Sequence, residues 1–254
     1  MRRLAIFISL VLLCCGCASV QPQLEGGSAV EGGSAVEVAR VPDEVFRNYL
    51  LEQGYAETYK GLKRHFGFWV PRREVLKRTA MGRALQLLNV HDMGIQSLLG
   101  VEMFDSLVVL ICSENPLDSV DLSHCPRLKQ FSAIETPLKH IDLSHCPHLK
   151  LVEVSYTQLQ QLDVSHNPLL EEIYCIFSPG ITAIDISHNP HLQILYIRET
   201  RIREVDITAN PAFRELHALD TPLETIIVTS DQLDRVSASV EDSVKVHILP
   251  EKID

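Results

Sequence analysis

No apolar stretch of this chain is long enough to cross a bilayer as a helix. The run Leu4–Leu13, broken only by Ser9, amounts to about ten residues where roughly twenty are needed. A glycine-rich phosphate loop is absent, and so is any C-x-x-C pair outside Cys14–Cys17, which removes the usual supports for nucleotide or dithiol chemistry. Positive charge is scarce: 23 Lys and Arg stand against 33 Asp and Glu, a net charge of -10. Nucleic acid is excluded as the main partner, because phosphate neutralisation needs a basic footprint. The one local exception is Lys60–Arg83, where eight cationic residues face the single acid Glu74; it reads first as a solvated face of a capping segment and second as a patch that touches anionic headgroups.

What the chain does have is one short phrase five times over. It appears as Val120–Pro126, Ile141–Pro147, Leu162–Pro168, Ile184–Pro190 and Val205–Pro211, at spacings of 21, 21, 22 and 21 residues. A fixed period near 21 with Leu, Ile and Val in register is the mark of a stacked solenoid, not of a globular enzyme core. Before each phrase, apolar residues alternate as in Leu110-Ile111-Cys112 or Leu195-Tyr196-Ile197, a period-2 strand signal with one face inward. A partial copy runs from Phe213 to Ile226, and a degenerate first turn from Leu85 to Leu98. One coil buries its apolar side only against its neighbours, so the stack is the stable unit. Each fully buried Leu or Ile contributes about 1.5–3 kcal/mol.

The ends of the chain read differently. Arg2 and Arg3, the apolar run and Cys14–Cys17 make a secretory signal over residues 1–16. Gly16-Cys17 resembles the cleavage site of bacterial lipoproteins, which implies a lipid on Cys17; a simple secretory signal is the alternative. Residues 17–40 contain E-G-G-S-A-V twice in tandem (Glu25–Val30, Glu31–Val36) and read as a flexible linker after the lipidated cysteine. Pro42-Asp43-Glu44 opens a helical N-terminal cap over 41–84, since proline and acids suit a first turn. Repeats then occupy 85–228 and a C-terminal cap 229–254, in which Thr229–Ala238 is the helical candidate between two strand-like stretches.

The repeat resembles the short leucine-rich repeats of bacterial cell-surface proteins, the 21-residue, internalin-J-like type in which Cys often holds the inner strand position. Cys112 and Cys175 sit there, with Ala133, Val154, Ile197 and Ala218 in the other copies. Val41–Leu51 and Gly94–Phe104 look like the N-terminal cap of such lipoproteins in anaerobes such as Bacteroidetes. The resemblance implies an α/β-type repeat solenoid: a leucine-rich repeat arc with a parallel concave sheet, a helical N-cap and a small α/β C-cap. It also implies an exported binding scaffold, membrane-anchored at the outer membrane or cell surface, without implying one shared ligand.

On such an arc the outward strand residues form columns. The centre column is Ile111, Ser132, Glu153, Tyr174, Tyr196 and His217. Neighbouring strands lie about 4.8 Å apart, so Tyr174 and Tyr196 are expected side by side, edged by Glu172, Ile176, Ile194 and Arg198. Exposed Tyr, Ile and Arg compose an interaction hot spot, and Glu153, Glu172, Tyr174, Ile176, Ile194, Tyr196, Arg198 and His217 are the candidate ligand-binding residues. A protein partner is the first expectation. A glycan stacking on the Tyr pair is the second, and a structural envelope role, with cross-strand Tyr pairing only for stability, the third.

Two further patterns invite chemistry. His124, His145, His166 and His188 run beside Asp121, Asp142, Asp163, Asp185 and Asp206. These parallel rows come from the repeat rather than converging on one point, so they read as turn hydrogen bonds and not as a metal site. The adjacent Ser-His pairs diverge on an extended segment and lack a third, orienting group, so no hydrolase triad is expected. No catalytic residue and no cofactor is therefore assigned. Cys125 and Cys146 fall at equivalent positions of neighbouring copies, within disulfide range; a bond and a pair of stacked thiols both remain open.

Overall fold

The computed structural model describes residues 38–58, 62–65, 68–71 and 75–249. The expected signal peptide, Cys17 and linker as far as residue 37, part of the Lys60–Arg83 patch and residues 250–254 lie outside the described residues.

The described chain begins with β1 (Val38–Arg40), which pairs antiparallel with a later strand, Val38 opposite Lys77 and Arg40 opposite Val75. Val38–Arg40, the last three residues of the expected linker stretch, therefore form a strand. Helix α1 (Glu44–Glu52) follows, its first turn closed by Asp43, whose Oδ1 accepts from Phe46 N at 2.9 Å. The same carboxylate accepts from Gln96 N at 2.8 Å through Oδ2, tying the helix start to the first coil. Phe46 and Leu50 are fully buried, as their helical spacing requires. Strands β2 (Ala56–Thr58), β3 (Leu62–His65), β4 (Phe68–Pro71) and β5 (Val75–Arg78) make the expected helical cap a mixed one: β1, β5 and β2 form an antiparallel sheet, and β3 pairs with β4. Arg78 departs from the expected solvated face. It is 3% exposed and donates to Asp105 Oδ1 at 2.5 Å and to the Met103 carbonyl at 2.6 Å. A buried cation persists only when paired in this way. After β5 comes a single turn, α2 (Ala80–Arg83).

The coils follow. Strands β6 (Leu87–Asn89), β7 (Val109–Ile111), β8 (Gln130–Ser132), β9 (Leu151–Glu153), β10 (Glu172–Tyr174), β11 (Ile194–Tyr196), β13 (Glu215–His217) and β15 (Ser237–Ser239) form one parallel, eight-stranded sheet in near-sequential order. The middle residue of each strand from β6 to β13 points inward and is fully buried: Leu88, Leu110, Phe131, Val152, Ile173, Leu195 and Leu216. Between strands the chain returns through turns and one 3-10 turn at Val101–Met103; among the described residues α-helices occur only in the two caps. The fourth coil carries the extra residue, and Gly180 accommodates it. A Cβ there would meet the Leu159 carbonyl at 2.2 Å.

Two polar columns run through the apolar interior. At the end of each strand Thr136, Thr157 and Thr200 donate to the carbonyls of Ala133, Val154 and Ile197 at 2.9, 2.8 and 2.7 Å. Asn115 does more in the first full coil, donating to Val90 O at 2.7 Å and accepting from Ile95 N at 2.9 Å. On the opposite side the column Cys125, Cys146, Asn167, Asn189, Asn210 and Gln232 joins each coil to the one before it. Asn210 Nδ2, for example, donates to Ile186 O and Asn189 O, both at 2.8 Å.

The C-terminal cap prolongs the spiral by one coil. Strands β12 (Glu204–Asp206), β14 (Thr225–Thr229) and β16 (Lys245–Leu249) pair in parallel as a second sheet. Helix α3 (Ser230–Leu233) is one turn only, with a capping box between Thr229 and Gln232. The rest of the Thr229–Ala238 stretch turns into β15, because Ser237–Ser239 finds the free edge of β13.

Candidate functional site

Strand register brings the centre column together. Glu153 pairs with Tyr174, Tyr174 with Tyr196 and Tyr196 with His217. The Tyr174 and Tyr196 rings lie 4.9 Å apart at 34°, and the His217 ring stacks on Tyr196 at 4.0 Å and 16°. All three side chains are half-buried, so each ring leaves an edge open on the concave face. Carboxylates flank the two outer rings of the row. Tyr174 Oη donates to Glu172 Oε2 at 2.8 Å, and His217 Nε2 lies 3.8 Å from Glu215 Oε2.

Glu153 sits at the head of this row. Burial pushes its carboxyl above the ordinary carboxylate range; a hydrogen bond from Ser132 Oγ at 3.2 Å works against the shift, and the neighbouring Glu172 charge adds to it. Arg198, on the flank, is held by Asp220, Nη2 to Oδ2 at 2.7 Å.

Two candidate residues stand in their expected columns but are covered. Ile176 and Ile194 are each only 8% exposed. Ile194 lies between Glu172 and Glu215 in register, and these longer neighbours leave little of it for a ligand to touch. Ile176 shares its column with Ser155 and Arg198; its amide donates to Ser155 Oγ at 3.2 Å, which draws the pair into the sheet. The accessible candidate set is therefore Glu153, Glu172, Tyr174, Tyr196, Arg198 and His217.

A second row of rings lies at the rim of the sheet, where each strand enters its turn. One residue per coil adopts positive φ there: Asp92, Glu114, Glu135, Tyr156, Phe177, Glu199 and Asp220, with φ between 50° and 60°. Acids and amides reach this region at modest cost, whereas bulky residues rarely do. Tyr156 and Phe177 nevertheless occupy the middle of the row, with ring centroids 4.5 Å apart at 16°. Tyr156 is 46% exposed. The signal for this row was available in the sequence, as the residue preceding Asn115, Thr136, Thr157, Ser178, Thr200 and Thr221 in every copy, but the strand alternation stops before it.

On the opposite side the Asp and His rows build turns. Ser123, Ser144, Ser165 and Ser187 each donate a backbone N–H to the Asp two residues earlier at 2.9 Å, and each hydroxyl pairs with the Nδ1 of the following His at 2.8–3.1 Å. The serine hydrogen bonds hold the carboxyls of Asp121, Asp142, Asp163 and Asp185 below their usual range.

The concave parallel sheet, one buried strand centre per coil and the two polar columns define a leucine-rich-repeat solenoid. The leucine-rich-repeat family model matches residues 158–179. Internalin C2 of Listeria monocytogenes superposes with a TM-score of 0.56 at 15% identity, covering 87% of this chain and 100% of that one. The functional domain of InlJ from Listeria monocytogenes, described as including a cysteine ladder, superposes with a TM-score of 0.51 at 16% identity over 85% of this chain. The chain spans 62% of that domain's length. No curated protein matches the sequence. At these identities the likeness is one of fold. In this chain the column that opens with Cys125 and Cys146 passes to asparagine from Asn167 onward.

Proposed function

We propose that the chain is a non-enzymatic, membrane-tethered binding scaffold that takes a protein partner on its concave sheet, through Glu153, Glu172, Tyr174, Tyr196, Arg198 and His217. What supports this reading is the row Tyr174–Tyr196–His217: three contiguous half-buried rings at the centre of the sheet, with Tyr174 held by Glu172. Tyr and Arg are the residues that most often carry interface energy, since they combine large apolar area with a polar handle. Cys17, lipidated after export, would supply the tether and place the domain at the outer membrane or cell surface.

The test is affinity capture by wild type and by the double variant Tyr174→Ala plus Tyr196→Ala, with thermal melts confirming that both are folded. Loss of a saturable protein partner in the double variant supports the reading; unchanged capture removes the concave face as the site. Calorimetric binding of soluble oligosaccharide, lost in the same variant, would replace the protein partner with a glycan.

A further inference from the structure

The rim row of rings offers chemistry that the concave centre lacks. Tyr156 and Phe177 stack on each other, so their inner faces are covered. The next residue in the row on the Tyr156 side is Glu135, and on the Phe177 side Glu199. Neither carboxylate has an ion-pair partner among the described residues, whereas Asp220, further along the row, is already neutralised by Arg198. The backbone rung next to each ring thus carries an unpaired carboxylate, one strand spacing or about 4.8 Å along the row. An exposed aromatic ring with a carboxylate beside it attracts a lysine ammonium or arginine guanidinium, by cation–π attraction and ion pairing together. The chain as a whole, at a net charge of -10, draws positively charged partners by long-range steering.

We infer that Tyr156 and Phe177, with Glu135 and Glu199, form two neighbouring slots that receive basic side chains of a polypeptide partner. The slots lie two rungs apart, about 10 Å, which one small cation cannot bridge. Two basic residues about three apart along an extended segment can, at roughly 3.3 Å per residue. The inference rests on the reading of the arc as a protein-binding scaffold and gives that partner a chemistry.

The probe is a fluorescein-labelled dodecapeptide, (Arg-Gly-Gly)4, with (Gln-Gly-Gly)4 as the neutral control, followed by fluorescence anisotropy at 0.15 M salt. The arginine peptide is expected to bind wild type and the control is not. Tyr156→Asn plus Phe177→Asn keeps the net charge and places at both positions a residue that tolerates positive φ, so it removes the rings while sparing the turn. It should weaken binding by about tenfold. Glu135→Gln plus Glu199→Gln, at accessible carboxylates whose loss leaves the backbone alone, should weaken it by a similar factor. If either folded double variant binds the arginine peptide as wild type does, or wild type prefers the glutamine peptide, the inference is overturned.

The two proposals fail separately. A captured partner lost on Tyr174→Ala plus Tyr196→Ala but retained by both rim variants leaves the concave reading standing and removes the rim. A partner lost in the rim variants alone does the reverse.

Discussion

The Asn189 side-chain amide donates to the backbone carbonyl of Asn167, one coil earlier, at 2.9 Å, and to Val164 O at the same distance. The bond repeats from Asn167 to Gln232, so along that stretch each coil is fastened to its predecessor by an amide that reaches two carbonyls at once. Gln232 supplies the last rung from the C-terminal cap, donating to Ile207 O at 2.6 Å and Asn210 O at 3.0 Å. Asn189→Ala leaves those carbonyls buried without their donor and should cost about 1–3 kcal/mol. Asn189→Cys should cost less, because Cys146 already fills an equivalent rung with its thiol 3.6 Å from Cys125 O. Urea denaturation of wild type and the two variants checks this; an Asn189→Ala midpoint equal to that of wild type would show that the amide adds nothing, and equal midpoints for the two variants that a thiol does not replace it.

Leu195 is fully buried at the centre of β11. Leu195→Ala should cost about 2–5 kcal/mol, the lost transfer energy plus the cavity it leaves between packed coils. Leu219, 37% exposed on the rim, is the control. Its alanine variant should change stability by less than about 0.5 kcal/mol. Equilibrium denaturation of both variants tests the difference.

Burial pushes the thiols of Cys112, Cys125, Cys146 and Cys175 up to about 12. All four are free. At pH 8 roughly one molecule in ten thousand carries the reactive thiolate at such a site. Iodoacetamide should therefore leave these four unmodified in the native chain and alkylate all of them in guanidinium without prior reduction. Peptide mapping by mass spectrometry reads the result; a Cys125 or Cys146 that reacts only after reduction would mean a bonded pair.

Glu153 carries the acid–base prediction. Its folded-state pKa is raised, so the protonated form is the one the fold favours, and the stability it contributes is present below its unfolded value near 4.3 and lost as pH rises through the folded value. Glu153→Gln should thus melt higher than wild type at pH 7, with the gain shrinking towards pH 4. The turn aspartates act with opposite sign: their pKa values are depressed, so their contribution is present above about pH 4 and lost on further acidification. Melts of both proteins from pH 7 to pH 3 test this; parallel curves would rule out a buried charge at Glu153.

How far the sequence foretells this molecule depends on the separation of the pairing residues. The juxtaposition of Tyr174 and Tyr196 follows from two facts, alternation within a strand and an almost constant repeat, and the rings do meet at 4.9 Å. The burial of Ile176 and Ile194 was not legible, because an outward position in a strand says nothing of the length of the side chains beside it. Nor was the pairing of β1 with β5, or of Arg78 with Asp105, since these join segments that share no period. The Tyr156–Phe177 pair lay in plain view one residue beyond the alternating pattern, at a turn whose backbone conformation only the coordinates reveal.

The extra residue at Gly180 marks how this architecture can vary. Each coil bonds only to the coils on either side, so excising or duplicating a whole 21-residue unit on the N-terminal side of Tyr174 would leave the aromatic pair and its acids intact. It would also carry them one step, about 4.8 Å, nearer to or further from α1 and the N-terminal cap. Reach and recognition are thus adjustable independently along a single axis.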